Sequence, residues 1–316
     1  MSYFNIINTA IKQPQYNNSW FVIANPTSGN RNFSKLWKEI QQSLKNKNLD
    51  YSFAFTQFSK HEIALVQNAI KNGFRNIISV GGDGTLHHVV NGIMMQRYVK
   101  TSDITISVIP LGTGNDWIKT YNIPTNIKEA VNLIYKKKII TQDIGVLKTL
   151  NTVTYFNNVA GLGYDGYIVS KLKSLKKFGS ISYLIAGIYG LLFYKKAVFK
   201  ILINNKIIET NCLMTIFGIC KYSGGGMQFT EKVNTTDGLL DITIVKNLTF
   251  LELILNLPKL YSGKITNHKK VTTYKTKKIT VIPKNATSFI QADGELIGTE
   301  SLSVSIVEKA IQFVVA

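Results

Sequence analysis

Three times within the first 120 residues a short β-branched run breaks into glycine and gives way at once to apolar residues at helical spacing: NPTSGN (25–30), GGDGT (81–85) and LGTGND (111–116). A chain that leaves a strand and enters a helix through glycine exposes backbone N–H groups at the positive end of the helix dipole, where an anion is favoured. Glycine keeps side chains out of the ligand's path and reaches φ > 0 without strain. In an open α/β sheet the carboxyl ends of the strands share one edge, and ligands bind along it. Singly, each segment is also an ordinary tight turn. Three at equivalent positions point to a phosphate-binding edge.

The flanking pattern supplies such a sheet. Strands are predicted at Phe21–Ala24, Tyr51–Thr56, Ile77–Val80 and Ile104–Ile109, alternating with helices near 33–46, 60–72, 85–96 and 126–137. After Asp143 the texture changes to β-rich runs at Thr152–Asn158, Val198–Ile203, Leu213–Ile219, Leu240–Val245, Lys278–Ile282 and Ser301–Val307, with helices at 179–194 and 249–261. The expectation is an α/β Rossmann-like domain over 1–145 and a mostly antiparallel β-sandwich over 146–316, its last residues free to pack back on the first domain. No Walker A signature occurs, and the one literal GxGxxG, GLGYDG at 161–166, has no acid after it until Glu209, so it reads as a tight turn near the domain junction.

Composition narrows the partners. The formal charge of +19 asks for an anionic one, whether a phosphorylated ligand, an acidic membrane surface or a nucleic acid, although only Arg31, Arg75 and Arg97 of the 37 basic residues are arginine. Cys212 and Cys220 lack metal spacing and lie in an apolar stretch, which suggests buried free thiols in a reducing cytosol. The N-terminal MSYFNIINTAIKQPQ lacks the build of a secretory signal, and the longest uncharged run, Phe178–Tyr194, is shorter than the roughly 20 residues that span a bilayer.

GGDGT between NPTSG and GTGND, followed by QDIG (142–145), GLGYDG, GGGM (224–227), DGLLD (237–241) and QADGE (291–295), resembles the diacylglycerol kinase catalytic-domain family, which includes bacterial soluble lipid kinases and the sphingosine and ceramide kinases. The resemblance runs over nearly the whole chain. GGDGT alone is shared with NAD kinases and phosphofructokinases; DGLLD and ADGE favour the lipid-kinase branch. The implied reaction moves the γ-phosphoryl group of ATP to a lipid hydroxyl, most simply that of diacylglycerol, which needs a phosphate cradle, a divalent cation and a carboxylate to receive the proton.

The same resemblance implies roles. Asp293 would be the general base with Glu295 beside it; Asp83 would help hold a phosphate-bound Mg2+; Asp116 and Asp143 would complete a polar network behind the phosphate. Asn25, Pro26, Ser28, Gly29, Gly81, Gly82, Asp83, Gly84, Thr85, Gly112, Thr113, Gly114 and Asn115 would surround the nucleotide. A structural Mg2+ would sit on Asp237 with main-chain oxygens of Asn234 and Leu239. Asp-Gly is equally a hairpin signal, so a plain turn stays open for Asp293 and Asp237. Two positions depart from the family: His88 stands where glutamate is usual, and Glu231 where relatives often have proline.

Between Gly166 and Ile208, and again between Leu253 and Ala292, there are eight lysines and no acid. The first gap holds KLKSLKKFGSISYLIAGIYGLLFYKK, suited to the face of an anionic membrane, against which a buried core helix is the alternative. The expected setting is therefore cytoplasmic, peripheral on the inner face of the membrane and without nucleic acid. Kinases of NAD or of sphingoid lipids, a basic nucleic-acid-binding protein and a catalytically dead lipid-binding relative are the alternatives. Homodimerisation is left open.

Overall fold

The computed structural model describes residues 17–29, 32–112, 114–172, 190, 193–194, 196–230, 233–284 and 288–316. In chain order the first half contains β1 (Asn17–Ala24), α1 (Phe33–Asn46), β2 (Tyr51–Phe55), α2 (His61–Lys71), β3 (Phe74–Gly81), α3 (Asp83–Met95), β4 (Thr105–Pro110), α4 (Asp116–Thr120), α5 (Ile127–Lys136) and β5 (Ile139–Lys148). The strands β2, β1, β3 and β4 lie side by side and parallel. From Arg75 to Gly81 every residue of β3 is buried, as a central parallel strand covered by helices on both faces requires. Asn32 caps α1 and Asn126 caps α5 through side-chain oxygens. Gly82, at the start of α3, has no side chain with which to do so, and the first turn of that helix is left for another partner.

The second half continues with β6 (Val153–Phe156), β7 (Val159–Gly163), α6 (Tyr164–Leu172), β8 (Ala197–Ile203), β9 (Lys206–Gly218), β10 (Tyr222–Ser223), β11 (Met227–Gln228), β12 (Leu240–Lys246), α7 (Phe250–Ser262), β13 (Val271–Thr276), β14 (Lys278–Pro283), β15 (Ile290–Ala292), β16 (Glu295–Gly298) and β17 (Leu302–Val314). Its strand pairs are antiparallel throughout, giving the β-sandwich. Thr249 and Glu252 form a reciprocal capping box at the start of α7.

One strand ties the halves together. Near its end β17 runs parallel to β4, pairing Gln312 with Thr105 and Phe313 with Ile106. Along its length it is antiparallel to β5, and at its start to β14. A bulge between Val307 and Ile311 lets it serve both, with Lys309 left-handed at φ 47°. The core is correspondingly continuous: Ile77, Ile106, Phe156, Phe199, Phe217 and Phe313 belong to one buried cluster.

Several elements differ from the sequence expectation. GLGYDG is no isolated turn: it is the end of β7 and the first turn of α6. The predicted strand Thr152–Asn158 is shorter, β6 alone, and β7, which was not expected, begins directly after the break at Asn157 and Asn158. Most of the expected helix 179–194 lies outside the described residues. Among those described, no helix is long and apolar enough to cross a membrane. Both cysteines are free and buried, and burial pushes the Cys212 thiol up to about 12.

Candidate active site

The three glycine turns meet. Asn25, closing β1, donates from Nδ2 to Thr85 Oγ1 at 3.2 Å, while its Oδ1 accepts from Thr27 N and Oγ1, so NPTSG is tied to the first turn of α3. Gly29 is left-handed (φ 75°) and lies so close to the next turn that a Cβ would stand 2.4 Å from Leu111 O. At Gly112 a Cβ would come 2.6 Å from Gly82 Cα, so the second and third turns touch backbone to backbone. Asn115 closes the third turn by donating to Gly112 O at 2.6 Å. Pro26, Ser28, Gly81, Gly84 and Gly114 belong to the same three turns; Thr113 lies outside the described residues.

Asp83, half-buried at the start of α3, supplies the cap that α4 lacks: its Oδ2 accepts from Asp116 N at 3.0 Å and its Oδ1 from Trp117 N at 3.3 Å. Burial, and then the nearby Asp116 carboxylate, push its carboxyl up to about 6 despite those two bonds. A site in which a carboxylate is held against a like charge gains from a cation. That fits Asp83 to a divalent ion carried by nucleotide phosphates. Asp116 itself accepts from Lys119 Nζ at 2.7 Å and from Gly225 N at 2.7 Å, which brings the GGGM loop of the second half to the same edge.

From the second half comes the ADGE turn. Asp293 (φ 49°) and Gly294 (φ 82°) form the two-residue bend between β15 and β16, a conformation that suits Asp-Gly. The hairpin reading and the site reading are therefore compatible. The Asp293 carboxylate points inward, only 2% exposed, and receives four donors: His87 Nδ1 (2.9 Å) and Asn157 N (3.1 Å) at Oδ2, Asn158 N (3.0 Å) and Val159 N (3.2 Å) at Oδ1. If Asp293 is ionised, His87 carries its proton on Nδ1. Glu295 is the open carboxylate of the turn, with Oε1 3.5 Å from where a Gly84 Cβ would be.

α3 is thus the bridge between the halves. His87 reaches Asp293, and Asn91, one turn on, donates to Tyr155 O and accepts from Thr154 Oγ1 and Tyr155 N on β6. A second link passes behind it. Trp117 Nε1 and Tyr121 OH both donate to Gln142 Oε1 (3.1 and 2.6 Å), and Gln142 Nε2 donates to Asn157 O at 2.7 Å. Since Asn157 N holds Asp293 and Trp117 N holds Asp83, a chain of buried polar groups joins the two carboxylates.

Here QDIG behaves differently from the expectation. Gln142 is the member of that network, whereas Asp143, next on β5, faces away, as strand alternation demands. Asp143 is 1% exposed and spends its oxygens on Gly238 N and Lys309 N, both at 2.7 Å. It staples the DGLLD loop to β17.

The expected Mg2+ site at Asp237 also differs. Asp237 Oδ2 lies 2.7 Å from Lys275 Nζ, its Oδ1 accepts from Leu239 N, and the Asn234 side chain is committed to Thr236 N and Oγ1. The carboxylate expected to hold the ion is instead paired with an ammonium and with Leu239 N, so Asp237 as arranged does not fit a resident divalent cation. Among the described residues no group of three or more acidic, histidine or cysteine side chains could hold a metal. His88 turns from the turns toward α2, its Nδ1 3.5 Å from the buried Glu62 Oε2; Glu231 lies outside the described residues.

Sequence reasoning missed His87, Asn91, Gln142 and Asp165. Asp165 Oδ2 accepts from Gln291 Nε2 at 2.6 Å, and Gln291 Oε1 accepts from Gly294 N, so the acid inside GLGYDG steadies the ADGE turn. Burial pushes its carboxyl up to about 6, against the pull of the Gln291 bond. The only signal in the sequence was the pairing of two motifs, GLGYDG and QADGE, that lie far apart in the chain.

The sequence profile of the diacylglycerol kinase catalytic domain matches residues 19–147, and that of the YegS C-terminal NAD kinase beta sandwich-like domain matches residues 158–315. A Bacillus subtilis protein described as "Putative lipid kinase YtlR" is 29% identical over 303 residues, covering 89% of this chain and 94% of its own. A Staphylococcus saprophyticus diacylglycerol kinase is 27% identical over 264 residues, covering 82% of this chain and 83% of its own. In fold the chain is similar to the crystal structure of a diacylglycerol kinase from Bacillus anthracis, with a TM-score of 0.73, 22% identity and coverage of 94% and 97%. With both halves matched and one sheet running through them, the chain belongs to the diacylglycerol kinase family of lipid kinases.

Proposed function

We propose that this protein transfers the γ-phosphoryl group of ATP to the hydroxyl of diacylglycerol, giving phosphatidic acid, at the surface of the membrane. The observation that carries this reading is the contact of His87 with Asp293, which sets the acidic ADGE turn against the helix that opens with GGDGT. Backbone amides of α3, left without a side-chain cap, receive phosphate oxygens. Bound Mg2+, held by the phosphates with Asp83, would neutralise charge on the transferring group. Glu295, the open carboxylate of the same turn, would meet the incoming hydroxyl. Asp293 reaches that hydroxyl only by giving up one of its four donors, and the His87 bond is the one not made by main chain.

The two acid-free, lysine-rich stretches support docking on an anionic inner membrane face, which would bring the acceptor to the protein without extraction from the bilayer. The direct test is thin-layer analysis of labelled products after incubating the protein with Mg2+, labelled ATP and either diacylglycerol, sphingoid bases, ceramide or NAD. Label in phosphatidic acid, lost in Glu295→Gln and Asp293→Asn, is expected. Label only in NADP or in a sphingoid phosphate would overturn the proposed acceptor while leaving the kinase family intact.

A further inference from the structure

We propose that Lys275 is an internal cation that takes the place of a bound divalent ion in the DGLLD loop, so that the joint between the two halves of this protein holds without metal. Lys275 on β13 lies directly opposite Asp241 on β12 in the antiparallel register. Its Nζ is 2.7 Å from Asp237 Oδ2 and 3.7 Å from Asp241 Oδ1, so one ammonium serves both acids of the motif. Asp241 needs such a partner: it is 8% exposed, and its Oδ2 has no hydrogen-bond donor.

The position matters because of what the loop is tied to. Asp143 N donates to Thr235 O, Gly238 N returns a bond to Asp143 Oδ2, and Lys309 N takes the other oxygen. The loop therefore fixes β5 to the bulge of β17, the strand shared by both halves. A divalent ion would need about six oxygens at 2.0–2.6 Å; both oxygens of Asp237, the one carboxylate of the expected set, are already engaged, by Leu239 N and Lys275 Nζ. An ammonium asks for fewer acceptors and carries its own tether. The inference does not depend on which lipid the enzyme phosphorylates.

The test uses the full chain without nucleotide, as wild type, Lys275→Met, Asp237→Asn and the double variant, melted in EDTA and in 5 mM MgCl2 or CaCl2 at matched ionic strength. Lys275→Met is expected to melt lower in EDTA and to recover about 2–4 °C with the divalent ion, since loss of the ammonium leaves two acids free to bind it. The double variant should not recover. Wild type and Asp237→Asn should respond to the ions alike, within about 1 °C. A rise in the wild type that Asp237→Asn abolishes would show a resident ion and overturn the proposal, as would a folded Lys275→Met indifferent to divalent ions. If Lys275→Met fails to fold, the comparison of wild type with Asp237→Asn decides by itself.

Discussion

Asp293→Asn separates what the buried carboxylate does for the fold from what it does for the reaction. Asparagine can keep Oδ1 as acceptor for Asn158 N and Val159 N, but it puts an NH2 group where Oδ2 now receives His87 Nδ1 and Asn157 N. His87 can accept instead only by moving its proton to Nε2, where it would face the Asn91 Nδ2 donor 3.3 Å away. The main-chain N–H of Asn157 has no such freedom, and the opposite amide orientation would strand two backbone donors rather than one. A stranded buried N–H costs about 1–3 kcal/mol, and two retained bonds that lose a charged acceptor cost about 1 kcal/mol each. The sum, about 3–5 kcal/mol, is a large part of the 5–15 kcal/mol typical of a folded protein, so the variant should fold but unfold at visibly lower urea. Tryptophan fluorescence reports it, since Trp117 lies in the polar chain that ends at Asp293. Kinase turnover is then measured where both proteins are folded. An unfolding midpoint equal to wild type would refute the four-donor arrangement. Wild-type turnover with lowered stability would leave Asp293 a scaffold and move the proton-accepting role to Glu295.

Asp165→Asn keeps an acceptor for Gln291 but removes an acid whose folded pKa, about 6, stands above its unfolded value of 3.8. Its contribution is fully present below pH about 4 and is lost as pH rises through 6, by at most about 3 kcal/mol; the variant should match or exceed wild type in stability at pH 7.5, and an unchanged pH profile of unfolding would contradict the assignment. Gly112→Ala brings a methyl to 2.6 Å from Gly82 Cα and 2.8 Å from Asn115 Oδ1. The turns must part, so ATP should raise the melting temperature of wild type and not of the variant, whose unliganded stability falls by about 1–3 kcal/mol. Replacing Lys171, Lys173, Lys176 and Lys177 by Gln should reduce sedimentation with anionic vesicles by up to about a thousandfold in partition coefficient at low salt, at roughly 1 kcal/mol per lysine; equal binding by the two proteins would dismiss that docking segment.

The α/β half and its phosphate edge were legible because the signals are local: β-branched runs, helical spacing and glycine at each junction. The β-sandwich was legible as a class but not as a topology, since β17 chooses β4, β5 and β14 as neighbours through contacts far apart in sequence. At the site, the resemblance drew attention to acids, and the structure distributes them by strand parity and burial. Asp143 and Gln142 are adjacent, yet only the glutamine faces Trp117 and Asn157. His87, two residues past GGDGT, carries no signal of its own, and its reach to Asp293 depends on the β15–β16 hairpin lying over α3. Asp237 and Lys275 are 38 positions apart, so no local motif announces that one neutralises the other.

The shared strand also sets a schedule for folding during synthesis. While residues 111–301 are being made, β4 has its outer edge bare, because the segment that will cover it at Thr105 and Ile106 has not emerged. An open parallel edge is an invitation to pair with the wrong chain. The α/β layer of this kinase therefore completes its sheet only after the β-sandwich half is in place, and a ribosome stalled between the two would release a protein with an adhesive flank.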